Sequence, residues 1–240
     1  MMHFIPKLQA ATLVFSIVLL LISSSVTWAI NDLSLYERGF DKYNISETSG
    51  IEKSELLAVS ERIRGYFNST DKSLDIKTTV DRQKRPLFGT KEIAHMKDVK
   101  RLVQGNYIIQ VLSLVAVLSI FISAKLSFSP GAMQFICKYT MWGGIATIAL
   151  ITTIGLATLI TFDQLFLAFH RISFANDFWK LDSSKDYLVI IFPQGFWKDA
   201  TIFVAALVIS SASILSTISG TYLWFLKRSS RLTQNSYIKY

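Results

Sequence analysis

Histidine occurs only at positions 3, 95 and 170 of these 240 residues, and the last two sit in segments unlike the rest of the chain. "FGTKEIAHMKDVKRL" at 88–102 sets His95 among charges just ahead of a long apolar run. "LFLAFHRISFANDFWKLDSSKDYLVIIFPQGFW" at 165–197 sets His170 among aromatics just after another. An imidazole titrates near neutrality, so it can take a proton from an amine or hydroxyl and deliver one to a leaving oxygen. Two of them at one depth, walled by apolar side chains, suit proton transfer on a group carried in lipid.

The spacing predicts a helix around His95. Pro86 and Gly89 end the preceding segment, Thr90 is read as the N-cap, and Glu92 in the first turn suits the helix dipole. Ile93, Met96, Val99 and Val103 then share an apolar face, with Lys97, Asp98 and Arg101 toward the other side. Glu92 and His95 bracket Val99, so both point with the apolar face rather than with the lysines. A histidine satisfied by Glu92 or by a backbone carbonyl would occupy the same place for structural reasons alone. One Glu-x-x-His with a single further candidate histidine supplies too few ligands for zinc or di-iron, so no metal and no cofactor is expected.

Phe162, Phe166, His170 and Phe174 recur at four-residue spacing and form one helical stripe. Arg171 beside it is read as a supporting residue, either an interfacial anchor or a contact to phosphate-bearing neighbours. Tyr187 to Phe192 is apolar and is followed by Pro193 and Gly195, too short to span and too apolar to be solvated, which suggests a re-entrant or interfacial segment. His170 is thus expected at the outer membrane surface under an aromatic lid, level with Glu92 and His95.

The elements that must hold these residues are membrane helices. Hydrophobic residues make up 51% of the chain and cluster in uncharged runs, which marks a membrane protein rather than a soluble core. Leu8 to Ile30, Asn106 to Ala124, Met141 to Phe162 and Ala200 to Leu226 each approach or exceed the roughly 20 residues needed to cross a bilayer. The first resembles a signal peptide in having Lys7 before it and small residues after it, but its apolar stretch is longer than the roughly 7 to 15 residues of such a segment, so it is read as retained. Lys7, Lys125, Lys138, Lys227, Arg228, Arg231 and Lys239 fall on one side if four spans alternate. The positive-inside rule makes that side cytoplasmic, with both termini inside a plasma membrane. A net charge of +8 is absorbed by this pattern, and no nucleic-acid partner is expected.

The fold class that follows is an all-α polytopic membrane protein: four transmembrane helices, a small α+β extracytoplasmic cap and a re-entrant or interfacial segment. Its parts are 1–30 (N-terminal segment and first span), 31–105 (cap and His95 helix), 106–128 (second span), 141–162 (third), 163–199 (outer aromatic segment with His170), 200–226 (fourth) and 227–240 (basic tail). In the cap, Leu56, Val59, Ile63 and Phe67 predict a helix over 54–67, and alternation of Leu74, Ile76, Thr78 and Val80 predicts a strand over 73–81. Asn44 and Asn68 begin glycosylation-like triplets that carry no weight. The lone Cys137 is placed in the short cytoplasmic turn, so no internal disulfide is possible.

Ser210, Ser211, Ser213, Ser216, Ser219 and Gly220 make the last span a packing face for close helix approach, not a serine-nucleophile site, since no G-x-S-x-G surrounds them. The spans hold no ionisable residue, which argues against a transporter. A non-catalytic membrane assembly or scaffold protein remains as the alternative class.

"LFGTKEIAHMKDVKRL" at 87–102 and "FHRISFANDFWKLDSSKDYLVIIFPQGFW" at 169–197, in this four-span frame, closely resemble the bacterial lipoprotein intramolecular transacylase family, Lit, over most of the chain. The resemblance implies transfer of the sn-2 acyl chain of an S-diacylglyceryl cysteine to the α-amino group of that cysteine, giving a lyso-form lipoprotein. It implies that His95 and His170 are the catalytic pair and that the partners are a diacylated lipoprotein and membrane lipid. Such a transfer needs no enzyme nucleophile, because the amine is already held beside the ester; it needs a base for the ammonium and help for the oxyanion. The residues alone leave the two roles open. We assign His170 to the amine and His95, oriented by Glu92, to the ester.

Overall fold

The computed structural model describes residues 4–80, 83–128 and 130–237, with side chains from 7 to 229 within those ranges; His3, Asp81 and Lys239 lie outside them, as do the side chains of the tail beyond Ser229. Among the described residues, four helices are long and apolar enough to cross a membrane: α1 (Phe4–Asn31), α5 (Thr90–Ser127), α6 (Ala132–Ser173) and α8 (Gln194–Tyr237). Between α1 and α5 come α2 (Leu33–Lys42), α3 (Ile45–Ser49), α4 (Lys53–Phe67) and a hairpin of β1 (Lys77–Val80) with β2 (Gln83–Pro86); α7 (Tyr187–Ile191) precedes α8. The chain is therefore a helical polytopic membrane protein with a small sheet. The helices overrun the apolar runs at their ends, since backbone hydrogen bonding continues past the point where side chains turn polar. Cys137 consequently lies within α6 and not in a turn, half-buried and unpaired.

The chain divides into two compact units. One comprises 1–25, 109–154 and 205–240. Leu13, Ile17, Val117 and Ile120 pack inward in it, while Val111, Leu112, Leu118, Ile122 and Ile218 point outward, as expected where lipid and not water is the solvent. Its helices meet over small residues: Gly144 lies against Ser216 and the Ala212 carbonyl, and Ala212 and Ser219 are buried. The serine-rich row of α8 is thus the packing face that its spacing predicts.

The second unit comprises 26–108 and 155–204. Its core joins α2, α4, β1, the start of α5, α7 and the start of α8 through Tyr36, Phe40, Leu56, Val59, Ile63, Val80, Met96, Val103, Ile191, Phe192 and Phe196. Leu74, Ile76, Thr78 and Val80 are all buried in alternation, although only 77–80 pair as strand, in antiparallel register Lys77↔Pro86 through Val80↔Gln83. Asp32 caps α2 by accepting the Ser34 N–H at 3.0 Å. Gly39 is pressed against the Phe196 ring, leaving no room for a Cβ there.

Two expectations shift in this unit. The apolar run after Tyr187 folds as α7, with Leu188 and Ile191 buried in the protein's own core, so packing against protein accounts for much of its apolarity. The third long helix changes direction at Thr161 (φ −130°, ψ 37°), so the turns bearing His170 are set off from the run that precedes them.

Candidate active site

His95 lies in the second turn of α5. That helix begins one residue earlier than expected: the Gly89 carbonyl accepts the first intrahelical bond, from the Ile93 N–H at 3.0 Å, so Gly89 and not Thr90 is the cap. Glu92, at the third helical position, reaches back to the Gly89 N–H with Oε2 at 2.6 Å, the reciprocal half of a capping box. Its Oε1 accepts the Leu188 N–H at 2.7 Å, in the first turn of α7. Both oxygens thus serve backbone donors, and no hydrogen bond joins Glu92 to His95; the expectation that Glu92 orients His95 is corrected accordingly. Burial raises the Glu92 carboxyl above its ordinary value, against the opposing pull of the two N–H groups.

The uncharged stretch of α5 starts at Asn106, eleven residues past His95, and the turns between carry Lys97, Asp98, Lys100 and Arg101, so His95 stands outside the hydrocarbon-spanning part. It is 8% exposed and its Nδ1 has no hydrogen-bond partner. Burial, reinforced by the neighbouring His170 and only partly offset by Asp98, lowers its pKa to about 4, which keeps the ring neutral at physiological pH.

His170 lies 9% exposed near the end of α6, its ring centroid 6.0 Å from that of His95. Its Nδ1 is 2.7 Å from the Phe166 carbonyl, which can only accept, so Nδ1 carries a proton, and in the neutral ring Nε2 is the acceptor. Phe166, Phe169, Phe174 and Trp179 surround the ring at centroid distances of 4.4, 5.4, 5.6 and 5.2 Å. Phe174 also meets His95 edge-on at 5.1 Å. The predicted Phe162, Phe166, His170, Phe174 stripe is therefore real, and its last ring bridges the two histidines.

The loop between α6 and α7 is fastened to the first turns of α5 at two points, and α7 itself at a third. The Asn176 amide donates to Asp98 at 2.8 Å, Lys91 donates to the Lys180 carbonyl, and Glu92 takes the Leu188 N–H. Asp98 also pairs with Arg101 at 2.8 Å. Sequence reasoning missed Trp179, Asp98 and Asn176 as parts of the site. Their segments were singled out, but an aspartate three residues past a histidine has no spacing that names an asparagine seventy-eight positions away. Arg171, named with the histidines, is exposed, makes no ion pair or hydrogen bond among the described residues, and lines a cleft of about 410 Å³ together with Phe174 and Trp179. No group of three or more His, Cys, Asp or Glu side chains among the described residues is placed to hold a metal ion.

Four membrane-length helices and a buried imidazole pair, one ring of it held by a backbone carbonyl, define a multi-pass membrane protein with a candidate site for proton transfer. Comparison with known proteins makes the class specific. The family model for lipoprotein intramolecular transacylase Lit matches residues 11–197, and the chain belongs to that family. It is an enzyme, a membrane-integral intramolecular transacylase of lipoproteins, and the non-catalytic scaffold alternative falls away. The fold is similar to that of the membrane-integral Lit from Bacillus cereus, with a TM-score of 0.80 at 21% identity over 95% of this chain and 99% of that one. It is similarly close, at a TM-score of 0.77, to a variant of that protein with one histidine replaced by alanine. An uncharacterized protein of Aquifex aeolicus (strain VF5) is 28% identical over 159 residues, 66% of this chain and 68% of that one.

Proposed function

We propose that His95 and His170 carry the transacylation and that the group moved is the sn-2 acyl chain of an S-diacylglyceryl cysteine at a lipoprotein N-terminus. The α-amino group of that cysteine, freed of its proton, attacks the ester carbonyl. A bond from nitrogen to the acyl carbon forms, the bond from that carbon to the glyceryl oxygen breaks, and the amine proton ends on the glyceryl oxygen. Ester and amine become alcohol and amide in one molecule, so no atom is gained or lost.

The observation that carries this reading is the 6.0 Å separation of the rings, with His170 Nε2 left as an acceptor. That nitrogen suits the amine. His95, neutral and with an unpartnered Nδ1, suits the ester side, as a hydrogen-bond partner to the developing oxyanion or to the leaving oxygen. Holding both reacting groups on one molecule supplies the effective concentration that an intermolecular transfer would lack.

We place the histidines on the outer face of the plasma membrane with both termini inside, from the distribution of Lys and Arg. Labelling a Cys137→Ser, Lys72→Cys chain from either side tests this: outside labelling is expected, and labelling only from the cytoplasm would reverse it. The activity is tested by expressing the chain in a bacterium whose lipoproteins keep a free N-terminal amine. Tandem mass fragmentation of the N-terminal lipopeptide should show an N-acyl cysteine with a monoacylglyceryl thioether at unchanged intact mass. Lipopeptides that keep the free amine would refute it.

A further inference from the structure

A diacylated lipopeptide branches at one point into acyl chains, which need an apolar surface, and a polypeptide, which needs a polar one. The end of α6 presents three rows in angular order. At about 100° per residue, Leu165, Phe169 and Ile172 share one row, Phe166, His170 and Phe174 the next, and Leu167 and Arg171 the one beyond. The first row is open and wholly apolar, with Ile172 87% exposed, which suits an acyl chain. The middle row holds the imidazole. The third row opens into the cleft of about 410 Å³, whose other walls include Asn176, Trp179 and Lys180.

We propose that this cleft seats the peptide that follows the lipidated cysteine, with the Arg171 guanidinium donating to its backbone carbonyls. The assignment rests on the transacylase reading above and adds a subsite to it. Phe174 and Trp179 line the cleft and also lie against the His170 ring, at 5.6 and 5.2 Å between centroids, so the cleft and the imidazole share two walls. The cleft is within the size range of small-ligand sites. Lys180 is already paired with Asp177 at 2.7 Å, whereas Arg171 has no partner among the described residues and offers a planar set of donors. Its lining mixes charge and amide with aromatic surface, which fits a peptide.

The test uses full-length protein in detergent and two product-like ligands, an N-acyl, monoacylglyceryl cysteine amide and the same group followed by four residues. Binding is read directly, and KM for the matching diacyl substrates is read in parallel. The longer ligand is expected to bind roughly tenfold tighter, the scale of one charge-assisted hydrogen bond, and Arg171→Ala should bring that ratio close to one. Leu167→Trp, which fills the cleft while Arg171 itself is retained, should do the same. Equal binding of both ligands by the unaltered protein, or a ratio that Arg171→Ala leaves intact, overturns the proposal. So does a loss in Arg171→Ala that is equal for both ligands and tracks the phosphatidylglycerol content of added vesicles, which would assign the cleft to a lipid headgroup. Binding of the ligands with no turnover of either substrate would sink the transacylase reading instead, and the length dependence would still decide the cleft.

Discussion

Glu92 holds the backbone N–H of Leu188 at 2.7 Å while capping its own helix through Gly89 at 2.6 Å, so one carboxylate joins two elements ninety-six residues apart. Glu92→Gln keeps the size but can accept through only one atom, leaving a buried N–H facing an amide that also donates. A buried bond to a charged group contributes about 1.5 to 3 kcal/mol, and a loss of that order is expected in thermal unfolding. Activity should fall with it, because α7 follows the loop that carries Trp179. A stability equal to that of the unaltered protein would show that Glu92 is dispensable as a clamp.

His170→Ala and His95→Ala are expected to lower the transfer rate by at least ~10² to 10⁴. Fragmentation of the N-terminal lipopeptide reads this as return of the free amine. Full transfer in both variants would remove the imidazoles from the chemistry.

The buried state of His95 makes stability depend on pH. The folded chain holds the group at about 4, and the unfolded chain at about 6.5. Between those values the unfolded chain binds the extra proton, so stability is greatest above about 6.5 and is lost as pH falls toward 4. The shift corresponds to about 3 kcal/mol across the window. Unfolding in detergent between about pH 4.5 and 7.5 should show this slope for the native chain and a flatter one for His95→Leu. Equal slopes would mean that the ring is not held neutral by burial.

Gly39→Val places a branched side chain where α2 meets Phe196, and the overpacking should cost about 1 to 3 kcal/mol. Gly65→Ala, at an open position of α4, serves as the control and should be neutral or slightly stabilising. Comparable losses in both would show that close approach is not the reason for Gly39.

What the sequence revealed and what it hid divide along physical lines. The four spans were legible because length and apolarity are written locally, and α4 and the alternating strand because each buries one periodic face. β2 was missed because Gln83, Lys84, Arg85 and Pro86 are all exposed, leaving no alternation to read. The helix at 33–42 had its marks in Asp32 and the Tyr36, Phe40 pair, but its Gly39 is explained only by Phe196, far along the chain. The histidine pair was legible from residue type and flanking texture. The role of Glu92 was not, because a short apolar run after Tyr187 reads alike whether lipid or protein covers it, and the N–H that Glu92 receives belongs to that run.

The core of the second unit also sets an order of assembly. Leu56, Val59, Ile63 and Val80 leave the ribosome more than a hundred residues ahead of Ile191, Phe192 and Phe196, which complete the cluster they belong to. At a synthesis rate of about 5 to 20 residues per second, that interval lasts on the order of 5 to 20 s. During it the first half of the core has no permanent cover. The cluster that includes Met96, next in sequence to His95, is completed only when Phe196 arrives in the last fifth of the polypeptide, so a chain cut short before α8 would carry both imidazoles on an unfinished core.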